Sequence, residues 1–141
     1  MNKIVHTLDI RAERVTVYRA LLTTEGLSGW WAAGVRAEEE PGGKVDFRFE
    51  GEFNPVMEIT HLEVGRAVHW KCIGGHDNWQ DATFRFLLRE HDKMTRLLFT
   101  QQYSRELDDE VFGIYNFNWG YYLESLRLYC ETGAGKPYRP K

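Results

Sequence analysis

Near the C-terminal end, Phe112, Tyr115, Trp119, Tyr122, Leu126 and Tyr129 recur at intervals of 3, 4, 3, 4 and 3. That spacing places them on one stripe of an α-helix. Glu124, Arg127 and Glu131 fall on the opposite side, spaced for weak surface pairs. Gly133 stands where the helix would end, and Pro137 prevents it from resuming. Burying a large apolar side chain is worth roughly 1.5–3 kcal/mol, so a stripe this bulky is not left in water. The rest of the chain must supply an apolar surface about as long as the helix.

The preceding residues supply it as strands. Val45, Phe47 and Phe49 alternate with Asp46, Arg48 and Glu50, a period of two that buries one face and wets the other. Met57 and Ile59, then Val68, Trp70 and Cys72, then Phe84, Phe86 and Leu88 repeat the pattern. Thr95, Leu97, Phe99, Gln101 and Tyr103 form the last such run. Turn signals lie between them at Pro41-Gly42-Gly43, Val64-Gly65, Gly74 to Asn78 and His91-Asp92-Lys93, which fits an antiparallel meander. Ahead of this run, Ile4, Leu8 and Ile10, with His6 among them, read as a first strand over residues 3–10. A short helix is expected from Ala12 to Leu22 with Val15, Tyr18 and Leu22 inward. Thr24 is expected to cap a second one running through Leu27 to Trp31. The expected order is strand, two short helices, about six strands and one long helix. That is one α+β domain over residues 1–141, its curved antiparallel sheet wrapped around the C-terminal helix.

Composition excludes several classes. The 18 basic and 21 acidic residues give a net charge of −3, without the basic excess of a nucleic-acid or anionic-membrane binder. No run approaches the ~18 apolar residues of a membrane helix. The N-terminus lacks the apolar region of a secretory signal. Cys72 and Cys130 are too few for a disulfide framework, so reduced thiols and a cytoplasmic location are expected. Aromatic residues reach 14%, enough for a dense core or a lined pocket.

Several stretches together resemble a known family. They are Ile10 to Val15, Tyr18-Arg19-Ala20-Leu21, Glu25-Gly26-Leu27 and Trp30-Trp31, followed by Met57-Glu58-Ile59, Val68-His69-Trp70 and Thr95-Arg96-Leu97. Trp119 to Leu126 and the trailing Glu131-Thr132-Gly133 complete the set. In this order and spacing, from about residue 5 to about residue 135, the chain is similar to the SRPBCC superfamily. The similarity is to the branch named for the activator of the Hsp-ninety ATPase homologue. The resemblance implies a helix-grip (START, or Bet v 1-like) fold with a pocket between sheet and long helix. It also implies relatives that bind lipids, hormones or polyketides, some of them cyclases. The eukaryotic co-chaperone of this branch carries a further N-terminal domain that these residues do not include, which weakens the implication of chaperone activation. Gln101 stands where many relatives have His, which removes an acid or base from the pocket.

Candidate ligand-binding residues follow from the inward faces. From the sheet they are Phe47, Phe49, Met57, Trp70, Phe84 and Phe86, with Phe99 and Gln101 on the last strand. From the helix they are Trp119 and Tyr122. Two adjacent tryptophans on a short helix are not expected to share one core, so Trp31 is expected at the pocket mouth and Trp79 on the other side. Inward polar groups are His6, Cys72, Gln101, Tyr103 and the hydroxyls of Tyr115 and Tyr122. Gln101 and a tyrosine would orient a ligand carbonyl or hydroxyl.

Other chemistries find little support. His61 and His69 stand nearly opposite on paired strands, but without a third ligand they make no zinc site. His76 and Asp77 are sequence neighbours, which does not make a dyad. Cys72 on a buried strand would be unreactive. Asp46, Glu50 and Glu58 alternate outward, leaving no inward acid pair. No Gly-x-Ser-x-Gly elbow occurs, and Gly133-Ala134-Gly135-Lys136 follows a helix, unlike a phosphate loop. No catalytic residue, metal or cofactor is expected. The leading expectation is non-catalytic binding of a small hydrophobic molecule, with no nucleic acid and no membrane insertion. A homodimer is left open. One rival is a cyclase- or hydrolase-like enzyme of the same fold, for which Tyr122 with Gln101 or His6 would be the polar pair. The other is a co-chaperone-like interaction module.

Overall fold

The computed structural model describes residues 2–49 and 53–139. Strand β1 (Lys3–Ile10) leads into two short helices, α1 (Arg14–Ala20) and α2 (Thr24–Trp30). Six strands follow: β2 (Gly34–Ala37), β3 (Lys44–Arg48), β4 (Val56–Glu63), β5 (Ala67–Gly74), β6 (Thr83–His91) and β7 (Met94–Gln102). Helix α3 (Asp109–Thr132) is last. The expected element order holds. The seven strands form one antiparallel sheet ordered β1-β7-β6-β5-β4-β3-β2, curved around α3. Among the described residues, no helix is long and apolar enough to cross a membrane.

The alternation reads directly into the sheet. Val45 and Phe47 on β3, Met57 and Ile59 on β4, and Val68, Trp70 and Cys72 on β5 are all buried. Phe84, Phe86 and Leu88 on β6 and Thr95, Leu97, Phe99 and Gln101 on β7 join them. β6 and β7 meet in a two-residue hairpin at Asp92 (φ 49°) and Lys93 (φ 63°), the twist that suits a tight antiparallel turn. Glu50, expected to point outward, lies outside the described residues.

Helix α3 begins at Asp108, whose carboxylate accepts the Val111 N–H at 2.9 Å, and ends at Gly133 with φ 85°. Trp119, Leu123, Ser125 and Leu126 are buried, while Phe112, Tyr115, Tyr122 and Tyr129 are half-buried. The predicted stripe is therefore the inner face, but only its middle is pressed against the sheet. On the outer side, Arg127 bridges Glu124 and Glu131.

Four local expectations are corrected. Helix α1 is shorter than residues 12–22, and Val15 is 43% exposed; Tyr18 and Leu22 are buried as expected, and Val17 and Leu21 join them. The cap of α2 is Thr23, whose hydroxyl accepts the Gly26 N–H at 2.9 Å. The Thr24 hydroxyl instead accepts the Ala37 N–H at 2.9 Å, tying α2 to β2. Strand β2 was not delimited by pattern, because four residues are too few to show a period. Finally, Trp30 and Trp31 are both buried. Trp30 sits under α1, donating its indole N–H to the Ala20 carbonyl at 2.7 Å. Trp31 follows the helix, where φ −109° and ψ −66° send its ring toward the sheet. The two rings lie 5.8 Å apart and nearly parallel.

Candidate functional site

Between α3 and the open end of the sheet lies a cleft of about 680 Å³. Its walls come from five places in the chain. Trp31 reaches it from the end of α2, Phe49 from just beyond β3, and His76 and Trp79 from the β5–β6 loop. Tyr115, Trp119 and Tyr122 descend from α3, and Tyr138 comes from the segment after it. Phe53, Ile114, Phe117 and Tyr121 form an apolar rim, and Pro55 and Asn118 complete the border.

Backbone geometry holds the loop side in place. Gly75 has φ 79°, and its carbonyl accepts the Asn54 N–H at 3.0 Å. A Cβ on Gly75 would lie 1.9 Å from the Asn54 oxygen, so only glycine fits. The next residue, His76, lies flat on Trp79 with centroids 4.4 Å apart and planes within 4°. A turn over Asp77–Trp79, with Trp79 N–H donating to the His76 carbonyl at 3.0 Å, fixes the pair. On the opposite side the chain after α3 folds back. Tyr138 N–H donates to the Trp31 carbonyl at 2.8 Å, and the Tyr138 carbonyl accepts from Ala33 at 2.9 Å. Lys136 N–H bonds the Ser125 hydroxyl at 2.6 Å, which itself donates to the Trp30 carbonyl at 2.8 Å. The Tyr138 ring thereby comes within 5.3 Å of Phe49.

The site is uncharged at its described border, with no Asp, Glu, Lys or Arg among the lining residues. Burial drives the His76 pKa down to about 4, and its Nδ1 is buried with no hydrogen-bond partner among the described residues. Burial likewise raises the Tyr122 phenol. The Tyr115 hydroxyl accepts a hydrogen bond from Asn78 Nδ2 at 3.1 Å.

Of the residues anticipated from the sequence, Trp31, Phe49, Trp79, Trp119 and Tyr122 border the cleft. Phe47, Met57, Trp70, Phe84, Phe86 and Phe99 lie beneath, packed into the concave face of the sheet. Gln101 is also beneath and fully buried; its Oε1 accepts the Trp119 indole N–H at 2.8 Å and the Tyr103 hydroxyl at 3.1 Å. His6 is on another part of the helix contact, its Nε2 3.1 Å from Asn116 Oδ1. Neither therefore joins Tyr122 at the border. The lining positions that pattern reading missed are His76, Phe53, Pro55, Asn118, Tyr138 and the run Ile114, Phe117 and Tyr121. That run, spaced by 3 and 4, was visible as a second apolar row beside the first.

Elsewhere, His61 and His69 do face each other across β4 and β5, with ring centroids 5.0 Å apart, and His61 pairs with Glu63 at 3.3 Å. No group of three potential ligands that could hold a metal occurs among the described residues. Cys72 is buried, and burial raises its thiol pKa.

The family model described as Activator of Hsp90 ATPase homolog 1-like protein matches residues 11–131. Among solved structures, the solution structure of the Aha1 dimer from Colwellia psychrerythraea is 29% identical, with a TM-score of 0.86 over 96% of this chain and 100% of that one. Protein SSP2350 from Staphylococcus saprophyticus is 19% identical, with a TM-score of 0.79 over 97% and 98%. CalU16 from Micromonospora echinospora is 15% identical, with a TM-score of 0.72 over 93% and 77%. No curated protein matches the sequence. A match over most of the chain, joined to a curved seven-stranded sheet gripping a long C-terminal helix, makes this protein a member of the Activator of Hsp90 ATPase homolog 1-like family within the SRPBCC superfamily.

Proposed function

We propose that this protein binds a small, largely apolar molecule in the cleft between the sheet and α3, without transforming it. The observation that carries this reading is the cleft of about 680 Å³ walled by Trp31, Phe49, Trp79, Trp119 and Tyr122. Small-molecule sites typically fall in the range of about 300–1,000 Å³ and combine apolar walls with few polar groups. The rival enzyme reading needs a polar pair converging on a substrate. Gln101 is turned into the core toward Trp119 and Tyr103, which leaves Tyr122 without that partner. A thermal-shift screen of sterols, fatty acids, aromatics and polyketide-like compounds tests the proposal. Occupancy at ~100 times the dissociation constant adds roughly 2.7 kcal/mol, so a true ligand raises Tm visibly. A screen without a single shift would remove the binding reading.

A second reading concerns assembly. Phe117 is 76% exposed, and Ile114 and Tyr121 are about half exposed beside it on α3. Contiguous apolar surface of this kind commonly marks an interface. Together with the dimer solved for the Colwellia psychrerythraea relative, it supports a homodimer through α3. Light scattering on wild type and Phe117→Glu tests it: a dimer that the substitution leaves intact rejects this face.

A further inference from the structure

The outer face of α3 constrains how two copies meet, an inference that rests on the homodimer reading above. From Val111 to Leu123 the helix carries no charged side chain for roughly three and a half turns, although Gly113, Asn116 and Phe117 on this span are exposed. A surface helix ordinarily turns charged and polar residues to water. Loss of charge around an exposed aromatic ring is instead the composition of an interface centre.

Gly113 and Gly120 stand about one turn to either side of Phe117, on the same face. Each weakens a helix interior relative to alanine. The packing of the chain itself does not require them. Among the described residues, a Cβ on Gly113 would meet nothing within 4 Å, and one on Gly120 only His6 Cε1 at 3.7 Å, an ordinary contact. Gly113, Asn116, Phe117 and Gly120 have the spacing i, i+3, i+4, i+7 of a hole that receives a knob from a facing helix. The two missing side chains make that hole hollow, and the Phe117 ring, 76% exposed, is a knob on the same face. A knob and a hollow on one face are self-complementary about a two-fold axis, which fits a second copy of this chain.

Charge sets the angle. Asp109 and Glu110 lie at one end of the uncharged span, and Glu124 and Glu131, bridged by Arg127, at the other. Two α3 helices lying side by side would bring acidic ends together. A steep crossing, about −50° in the commonest packing class, confines the contact to the uncharged span and spreads the ends apart.

We infer that two copies cross α3 over α3 at Phe117, each phenyl ring seated in the hollow framed by Gly113 and Gly120 of the partner subunit. The contact holds no ion pair, and its only charges are the like ones that diverge beyond it.

Sedimentation equilibrium over a dilution series tests this. Gly113→Leu fills the hollow and should weaken dimerisation at least about tenfold. Thermal melts of the dilute, monomeric variant should match or exceed those of wild type, because leucine favours a helix over glycine. Raising NaCl from about 50 mM to about 500 mM screens the acidic ends, so the wild-type dimer should tighten, where an interface held by ion pairs would loosen. A dimer that Phe117→Glu breaks and Gly113→Leu leaves intact overturns the crossing and keeps the α3 face. A dimer that loosens in salt likewise overturns the crossing alone. A dimer untouched by both substitutions, or a wild type that stays monomeric at millimolar concentration, overturns the crossing and the homodimer reading together.

Discussion

Trp119 donates its indole N–H to Gln101 Oε1 at 2.8 Å, so the ring at the centre of the helix–sheet contact is held by a side chain on the opposite element. The same oxygen accepts the Tyr103 hydroxyl at 3.1 Å. One buried amide therefore anchors the aromatic floor of the cleft from behind. Gln101→Leu leaves two buried donors unpaired, and each costs about 1–3 kcal/mol. The expected result is a destabilisation of that order in denaturant titration, with weaker binding of every cleft ligand alike. Selective loss of only hydrogen-bonding ligands would instead mean that Gln101 touches them directly.

Trp119 itself packs on Phe99 at 4.3 Å, Trp31 at 4.9 Å and Phe84 at 6.1 Å. Trp119→Ala should cost roughly 3–5 kcal/mol, the range for large aromatic truncations in cores. Val64→Ala, on the turn between β4 and β5 and 78% exposed, should stay within about 0.5 kcal/mol. Equal midpoints for the two variants would contradict the packing described.

Gly75 and Gly42 share a left-handed backbone, with φ 79° and φ 83°, but not a neighbourhood. An added Cβ meets nothing within 4 Å at Gly42 and the Asn54 oxygen at 1.9 Å at Gly75. Gly42→Ala should cost about 1–2 kcal/mol from backbone strain alone. Gly75→Ala should cost more and should shift the tryptophan emission, because it displaces the loop that carries His76 and Trp79. Similar stability losses with unchanged emission would show that the loop tolerates the change.

Stability should fall with acid through His76. Its folded pKa, about 4, lies below the 6.5 of a free histidine, chiefly because of burial. Between these values the unfolded chain binds a proton that the folded one refuses. The contribution is therefore complete above about pH 6.5 and is lost as pH drops toward 4. Its size over the full window is on the order of 3 kcal/mol. The rings of Phe53, Trp79 and Tyr115 face the imidazole, and its own backbone and the Asp77 charge favour protonation too weakly to offset burial. His69, lowered mainly by burial, acts with the same sign. Urea midpoints compared at about pH 7.5 and about pH 5 should drop more for wild type than for His76→Phe. Parallel slopes would mean that His76 is already protonated in the fold.

The elements with one buried face were legible because burial imposes a period: two at Val45, Phe47 and Phe49, and nearly 3.6 from Phe112 to Tyr129. Strand β2 has too few residues to show one. Trp30 and Trp31 misled because adjacency suggests opposite faces only while a helix continues, and this helix stops between them. The cleft was harder. Phe47 and Phe49 share a face and a chemistry, yet Phe47 is floor and Phe49 is wall. That distinction depends on how far the curved sheet stands from α3 at each position. Tyr138 lies beyond the helix, after a proline, where no period runs, and its place is set by the backbone pairing with Trp31 and Ala33.

That pairing has a practical side. Residues after the long helix would ordinarily be regarded as a convenient attachment point for an affinity handle, or as dispensable in a trimmed version. Here they are masonry: Lys136 is pinned to Ser125, Tyr138 is laid alongside Ala32, and its ring stands against Phe49. A version trimmed after Gly133 would take part of the cleft wall with it.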